Sequence, residues 1–393
     1  MDQGLRTLSE RPDVTTAATF LRDRDEATVA LQIRITEIPA PPFQERRRGA
    51  AVAGLLEAAG LSDVAVDAVG NVVAKRAGAD EGPPLVVSAH LDTVFPPETD
   101  LTVRREGDVL YGPGISDDGR GLACLVALAR AMAAADLRTS APLLFVATVG
   151  EEGAGDLRGV KELFGPTGAA RQARGFISLD GAGMERIVTE GLGSRRFRVT
   201  IFGPGGHSWT DWGTPNPAHA LAELASRMAG LKLEREPKTT LTVARLGGGK
   251  SINAIPQEAW MEIDARSTSQ GRLEALAGEI RGAVTEAQQK EEDLEFQIDV
   301  IGDRPGGRTD ENSELVQAAM AATRLLGYEP CTTISSTDAN IPMTRNIPAI
   351  TLGGGGDAGK AHTTDEWYRN EGGPDGIVRA LYTLLAAAGV ADG

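Results

Sequence analysis

The chain has 393 residues, long for a single hydrophobic core, so two domains are the default expectation. A formal net charge of −15 argues against nucleic acid or an anionic membrane surface as a partner. Apolar residues at 41% and charged residues at 24% are the proportions of an ordinary globular protein. Cys124 and Cys331 are too few for a disulfide framework and too far apart for a thiolate metal site. Met1 to Arg24 lacks the apolar core of a signal peptide, and no run is long enough to span a bilayer, so a cytoplasmic location is expected.

Residues 1 to about 15 read as loosely ordered. Ala17 to Ile38 has helical spacing and stops at Pro39, and Arg46 to Ala59 reads as a second helix closed by Gly60. Short strands follow around the Gly70-Asn71 turn. Buried-type strands are then expected at Pro84–His90, Ala141–Val149, Phe176–Asp180 and Ile347–Leu352, with helices between several of them. That alternation predicts an α/β fold: a mostly parallel central sheet with helices on both faces. Between them, residues 194–304 read strand-helix-strand-strand-helix-strand, the ferredoxin-like order of a compact α+β domain. The expected organisation is a discontinuous large domain, 1–193 with 305–393, carrying an inserted small one.

Chemistry-bearing residues gather at the strand ends. His90 ends one strand in Ser88-Ala-His-Leu-Asp92, Glu151 and Glu152 follow the next, and Asp180 ends a third. Asp117 and Asp118 sit between a glycine-rich turn and a long apolar helix, Leu122 to about Leu137, and His362 follows a glycine run. Ligands of open α/β sheets bind beyond the carboxyl ends of the strands, where all of these fall. Singly, each has a structural alternative: a helix N-cap for Asp118, a turn for a strand-end Asp, a hydrogen-bonded structural role for a histidine. Imidazole and carboxylate together suit paired zinc, with one carboxylate bridging two ions that activate a water between them. Two zinc ions bring four positive charges; Asp117, Glu152 and Asp180 remove three, leaving one for hydroxide. Glu151, beside a ligand, is then placed to take the proton from water as general base.

His90-Leu-Asp92, Gly114-Ile-Ser-Asp-Asp-Gly119, Gly150-Glu-Glu-Gly153, Leu179-Asp180-Gly and Ala361-His362-Thr resemble the di-zinc aminoacylase and peptidase T superfamily. That superfamily also includes carboxypeptidase G-like enzymes and succinyl-diaminopimelate desuccinylases. The resemblance covers about Ile38 to Trp367. It implies a first zinc on His90, Asp117 and Asp180, and a second on Asp117, Glu152 and His362, with cobalt or manganese as possible substitutes. It also implies a cis peptide after Asp117, and Asp92 orienting the His90 ring. The small domain then resembles a lid and dimerisation domain, so a homodimer through it is expected. Gly203-Pro-Gly-Gly-His207 matches a histidine that reaches the scissile carbonyl, often across the dimer; a structural glycine-turn histidine is the alternative. Asn253 and Arg266 match a pair that grips the substrate carboxylate; a structural pair of Arg266 with Asp264 or another acid is the alternative. Asp338 matches a substrate-side loop. Phe95-Pro-Pro97 and Gly153-Ala-Gly155 look closest to the tripeptide aminopeptidase branch. The activity implied is zinc-dependent hydrolysis of short peptides. An N-acyl or N-carbamoyl amino acid amidohydrolase is the first rival, and a non-catalytic metal- or peptide-binding protein the second.

Overall fold

The computed structural model describes residues 1–391. The chain divides into two compact units, Met1–Gly191 with the chain from Arg308 onward, and Leu192–Gly307. No helix among the described residues is long and apolar enough to cross a membrane.

The large unit is built on a sheet whose central strands Leu143–Thr148, Leu85–His90, Gly175–Leu179 and Ala349–Leu352 run parallel in that spatial order. Antiparallel neighbours flank them, Val72–Arg76 on one side and Arg186–Gly191 on the other. Because side chains alternate across a strand, each of these apolar runs feeds two cores. Leu85, Val87, Phe145, Ile177 and Leu352 meet helices Pro12–Asp23, Gly119–Ala134 and Gly373–Ala388 on one face. Val86, Leu144, Val146, Phe176 and Ala349 meet Arg158–Leu163 and Asn340–Thr344 on the other. The expected mostly parallel sheet with helices on both faces is the observed one.

The start of the chain differs from expectation. Residues read as loosely ordered form helix Asp2–Ser9 and the first turn of Pro12–Asp23, which opens on its proline, where a missing N–H leaves nothing unsatisfied. Leu5 and Val14 are buried and join the large core, so packing rather than local propensity orders this segment. The helix expected over Ala17–Ile38 is two, Pro12–Asp23 and Asp25–Thr36, meeting at Arg24 inside a charged run with no apolar residue to bury.

A second, small antiparallel sheet was not legible beforehand. It orders Asp357–Gly359, Trp367–Arg369, Val109–Tyr111 and Arg104–Glu106 side by side. Its central pairing, Trp367 opposite Tyr111, joins the segment after His362 to the segment before Asp117.

In the smaller unit, four antiparallel strands stand in the order Thr239–Gly248, Glu258–Ser267, Gly193–Phe202 and Glu295–Arg304. Helices Pro217–Ala229 and Gln270–Lys290 cover one face, with Phe197, Val199, Met261 and Ile263 beneath them. This is the ferredoxin-like arrangement.

Candidate metal centre

The two adjacent aspartates divide the work between fold and site. Asp118 is the N-cap of helix Gly119–Ala134, its Oδ1 accepting the N–H of Gly121 at 2.9 Å. The same carboxylate accepts N–H bonds from His90 at 2.9 Å and Gly181 at 3.2 Å, so it ties together three segments that carry candidate ligands. A Cβ on Gly121 would collide with this carboxylate, which explains the glycine there. The Asp117–Asp118 peptide is cis.

Asp117 faces the other way. Its Oδ1 lies 2.9 Å from His90 Nε2 and its Oδ2 lies 3.2 Å from His362 Nε2. His90 Nε2 is also 3.9 Å from Asp180 Oδ1, and His362 Nε2 is 2.8 Å from Glu152 Oε1. One carboxylate thus shares its two oxygens between two imidazoles, each of which has a further acid beside it. Candidate ligand atoms of His90, Asp117 and Glu152 lie within 4.8 Å of one another, as do those of His90, Asp118 and Asp180. Asp118 already holds three backbone donors, which leaves Asp117 as the acid turned toward both histidines.

The donor chemistry fits a cation. His90 Nδ1 is 2.9 Å from the backbone carbonyl of Asp92, an acceptor only, so Nδ1 carries a proton. A neutral His90 then presents a lone pair from Nε2 to the Asp117 oxygen, an arrangement that requires either a second ring proton or a metal between them. Burial opposes charge on His90, but Asp118, Asp117 and Asp180 outweigh it and hold its pKa well above the usual imidazole value. Hydrogen bonds to Asp117 and Glu152 push His362 up to about 10. Against burial, the bonds from His362 and His90 hold Asp117 below the usual carboxylate range. Without a metal, protons stand where a cation would.

Asp92 acts differently from the expected ring-orienting carboxylate. Its carbonyl meets the His90 ring, while its Oδ1 is 3.8 Å from Nδ1. The carboxylate oxygens instead accept the N–H groups of Glu151 at 3.0 Å and Glu152 at 2.8 Å, fixing the loop that presents both glutamates. Both glutamates are buried, each 6% exposed. Asp338 lies beneath the strand ends, 1% exposed, accepting the Thr148 hydroxyl at 2.5 Å, and it adds negative charge near Asp180.

In the smaller unit, His207 pairs with Ala254, and the next N–H, from Ser208, reaches the Asn253 carbonyl at 3.0 Å. His207 Nδ1 accepts N–H bonds from Trp209 at 3.2 Å and Thr210 at 3.4 Å, so in the neutral ring Nε2 is the N–H donor. The ring is exposed, as are Trp209 at 84% and Trp212 at 83%. Arg266 Nε donates to Asp264 Oδ2 at 2.7 Å, the pairing that stood as the alternative to substrate binding.

Residues 86–388 match the family model described as peptidase family M20/M25/M40. The chain belongs to this family. It is therefore a hydrolase of the peptidase and amidohydrolase kind, from a family of metal-dependent enzymes. A succinyl-diaminopimelate desuccinylase from Corynebacterium glutamicum is 26% identical over 352 residues, which cover 86% of this chain and 90% of the relative. A tripeptidase from Staphylococcus aureus shares the fold with a TM-score of 0.76 at 23% identity, over 92% of this chain and 98% of that one. A hydantoinase/carbamoylase family amidase from Burkholderia ambifaria does so with a TM-score of 0.60 at 21% identity, over 96% and 99% of the two chains.

The side chains that support the loops of the site leave little trace in the sequence. Glu366 is fully buried and accepts N–H bonds from Gly114, Ser116 and Asp117 at 2.8–3.0 Å. Three fully buried arginines collect carbonyls instead: Arg48 those of Thr36, Ile38 and Leu91, Arg120 those of Gly354 and Gly373, and Arg379 those of Met184 and Gly353. The glycine run Gly353–Gly356 is accordingly a gripped backbone, close to Arg120 and Gly376, where a Cβ would not fit. The one sequence signal for such residues is a charged side chain inside an apolar helix, as with Arg120 and Arg379.

Proposed function

We propose that this chain is a two-zinc exopeptidase that hydrolyses the amide bond of short peptides, in the manner of a tripeptide aminopeptidase. The observation that carries the reading is the Asp117 carboxylate shared between His90 and His362. In this reading His90, Asp117 and Asp180 hold one ion, and Asp117, Glu152 and His362 the other. Bound zinc supplies a Lewis acid for the carbonyl and lowers the pKa of water. Glu151 takes the proton from the attacking water at its carboxylate and passes it to the leaving amine. Asp92 keeps Glu151 and Glu152 in register through their N–H groups. Residues 194–304 serve as the lid and dimerisation domain, where His207 Nε2–H donates to the developing oxyanion and the exposed Trp209 and Trp212 suit an interface. Asn253 and Arg266 grip the substrate carboxylate, for which Arg266 must exchange its Asp264 partner, and Asp338 supports the substrate side from below.

The desuccinylase relative favours a second reading, removal of an N-acyl or N-carbamoyl group by the same centre. A hydrolysis screen of di-, tri- and N-acylated peptides with the zinc-loaded protein separates the two. Release of a free N-terminal residue from tripeptides is expected, whereas activity confined to acylated amino acids replaces the peptidase reading with the second. Inertness toward every substrate overturns both the peptidase and the acyl-removal readings.

Metal loading has its own expected outcome. Zinc titrated into the metal-free protein should saturate at about two ions per chain, as a two-metal site requires. It should also release protons near neutral pH. The sign follows from the raised pKa values of His90 and His362: the metal-free rings hold protons that zinc displaces, so affinity falls as pH is lowered. Saturation at one ion with full activity removes the bridging role of Asp117, and zinc uptake without proton release removes the protonated pair.

A further inference from the structure

We propose that Glu366 is a positioning residue that sets the Asp117 carboxylate against His362 and thereby tunes the affinity of the metal centre. The proposal rests on the metal reading of the site and goes beyond its ligands. Glu366 is 0% exposed. Its Oε1 accepts the N–H groups of Ser116 at 2.8 Å and Asp117 at 3.0 Å, and its Oε2 accepts that of Gly114 at 2.9 Å. Its own carbonyl accepts the N–H of Gly112 at 3.0 Å, and its own N–H donates to Thr363, the residue after His362. Both the backbone and the side chain of one residue are therefore anchored to the two segments that carry Asp117 and His362.

Chemistry requires the carboxylate there. Three N–H groups converge from a turn that Gly114 enters with a positive φ of 77°. Only an acceptor with no hydrogen of its own answers all three, since an amide would turn its NH2 toward a donor. A serine or asparagine would leave at least one buried N–H unpaired. The Asp117 side chain leaves the backbone at the point this carboxylate pins, and its Oδ2 stands 3.2 Å from His362 Nε2. A purely architectural carboxylate would satisfy the turn, and its loss would change stability alone. A positioning carboxylate also controls how well the two ligands converge.

The test compares zinc affinity, measured by competition with a chromophoric chelator, with the thermal melt of the metal-free protein. Glu366→Gln is expected to bind zinc about 10–100-fold more weakly, the range for residues that orient metal ligands. Glu366→Asp, with a shorter reach for the same three donors, should fall between it and the parent. Asp365→Asn, at the exposed neighbouring position, should match the parent. Folded Glu366 variants that lower the melt yet bind zinc within about twofold of the parent overturn the proposal. Should Glu366→Gln fail to fold, Glu366→Asp decides alone; if neither melts cooperatively, Glu366 is architectural and the proposal falls. A parent protein that binds no zinc overturns the metal reading itself, which is a different result from unaffected variants of a zinc-binding parent.

Discussion

Glu151→Gln is expected to lower turnover by at least about 10²–10⁴-fold while leaving zinc uptake intact. The backbone of residue 151 is held by Asp92 through its N–H, and the substitution does not touch that bond. Nor does it touch Glu152, whose Oε1 stands 2.8 Å from His362 Nε2. The amide keeps the size and shape of the side chain in a buried position, 6% exposed, and removes only its capacity to accept a proton. Loss of rate with unchanged zinc stoichiometry therefore separates proton transfer from metal binding. A variant that works at a near-normal rate moves the base elsewhere. One that also loses zinc shows that residue 151 belongs to the ligand set.

The second large effect concerns His207. Removing an oxyanion donor typically lowers the rate by about 10²–10³-fold, and His207→Ala should do so. Its Nδ1 accepts from Trp209 and Thr210, so the neutral ring carries its proton on Nε2, and the residue is exposed. A two-fold dimer would supply each site with the histidine of its neighbour. Mixing Glu151→Ala and His207→Ala chains under subunit exchange tests this. If the donor acts in trans, one site of each mixed dimer carries both lesions and the other neither, and an equal mixture regains up to about a quarter of the parent rate. If it acts within its own chain, every site keeps a lesion and the mixture stays silent. Silence with the heterodimer seen by native mass spectrometry ends the trans assignment. His207→Ala at parent activity ends the donor role as well.

The strand ends were legible because burial on two faces leaves an unmistakable apolar run, and a polar residue that closes such a run stands out. His90 after Leu85–Ala89 and Asp180 after Gly175–Leu179 are of this kind. The inserted unit was legible for a similar reason, since alternating Phe197, Val199 and Ile201 describe a sheet with one covered face. Helix Asp2–Ser9 was not, because Leu5 is buried by contacts made far along the chain. Nor were the roles of Asp92 and Glu366, or the reach of Asp118 beyond its N-cap to His90 and Gly181. These carboxylates act by accepting backbone N–H bonds, and a backbone donor has no letter in a sequence. Arg266 marks another limit: a cation spaced for a substrate is equally spaced for Asp264, two residues away on the same face of its strand.

The strand Ala349–Leu352 lies between Gly175–Leu179 and Arg186–Gly191 in the central sheet. A chain grown from its N-terminus makes those two neighbours first and leaves a gap between them until residue 352 has emerged. Synthesis at about 5–20 residues per second keeps that gap open for roughly ten seconds or more, with two apolar edges unpaired. The unit spanning Leu192–Gly307, continuous in sequence and pairing all four strands of its main sheet internally, is complete within that interval. His362 emerges later still. The cluster of His90, Asp117, Glu152 and His362 is thus completed only after the central gap in the sheet can close, so the strands that position its other members are available before its last histidine is.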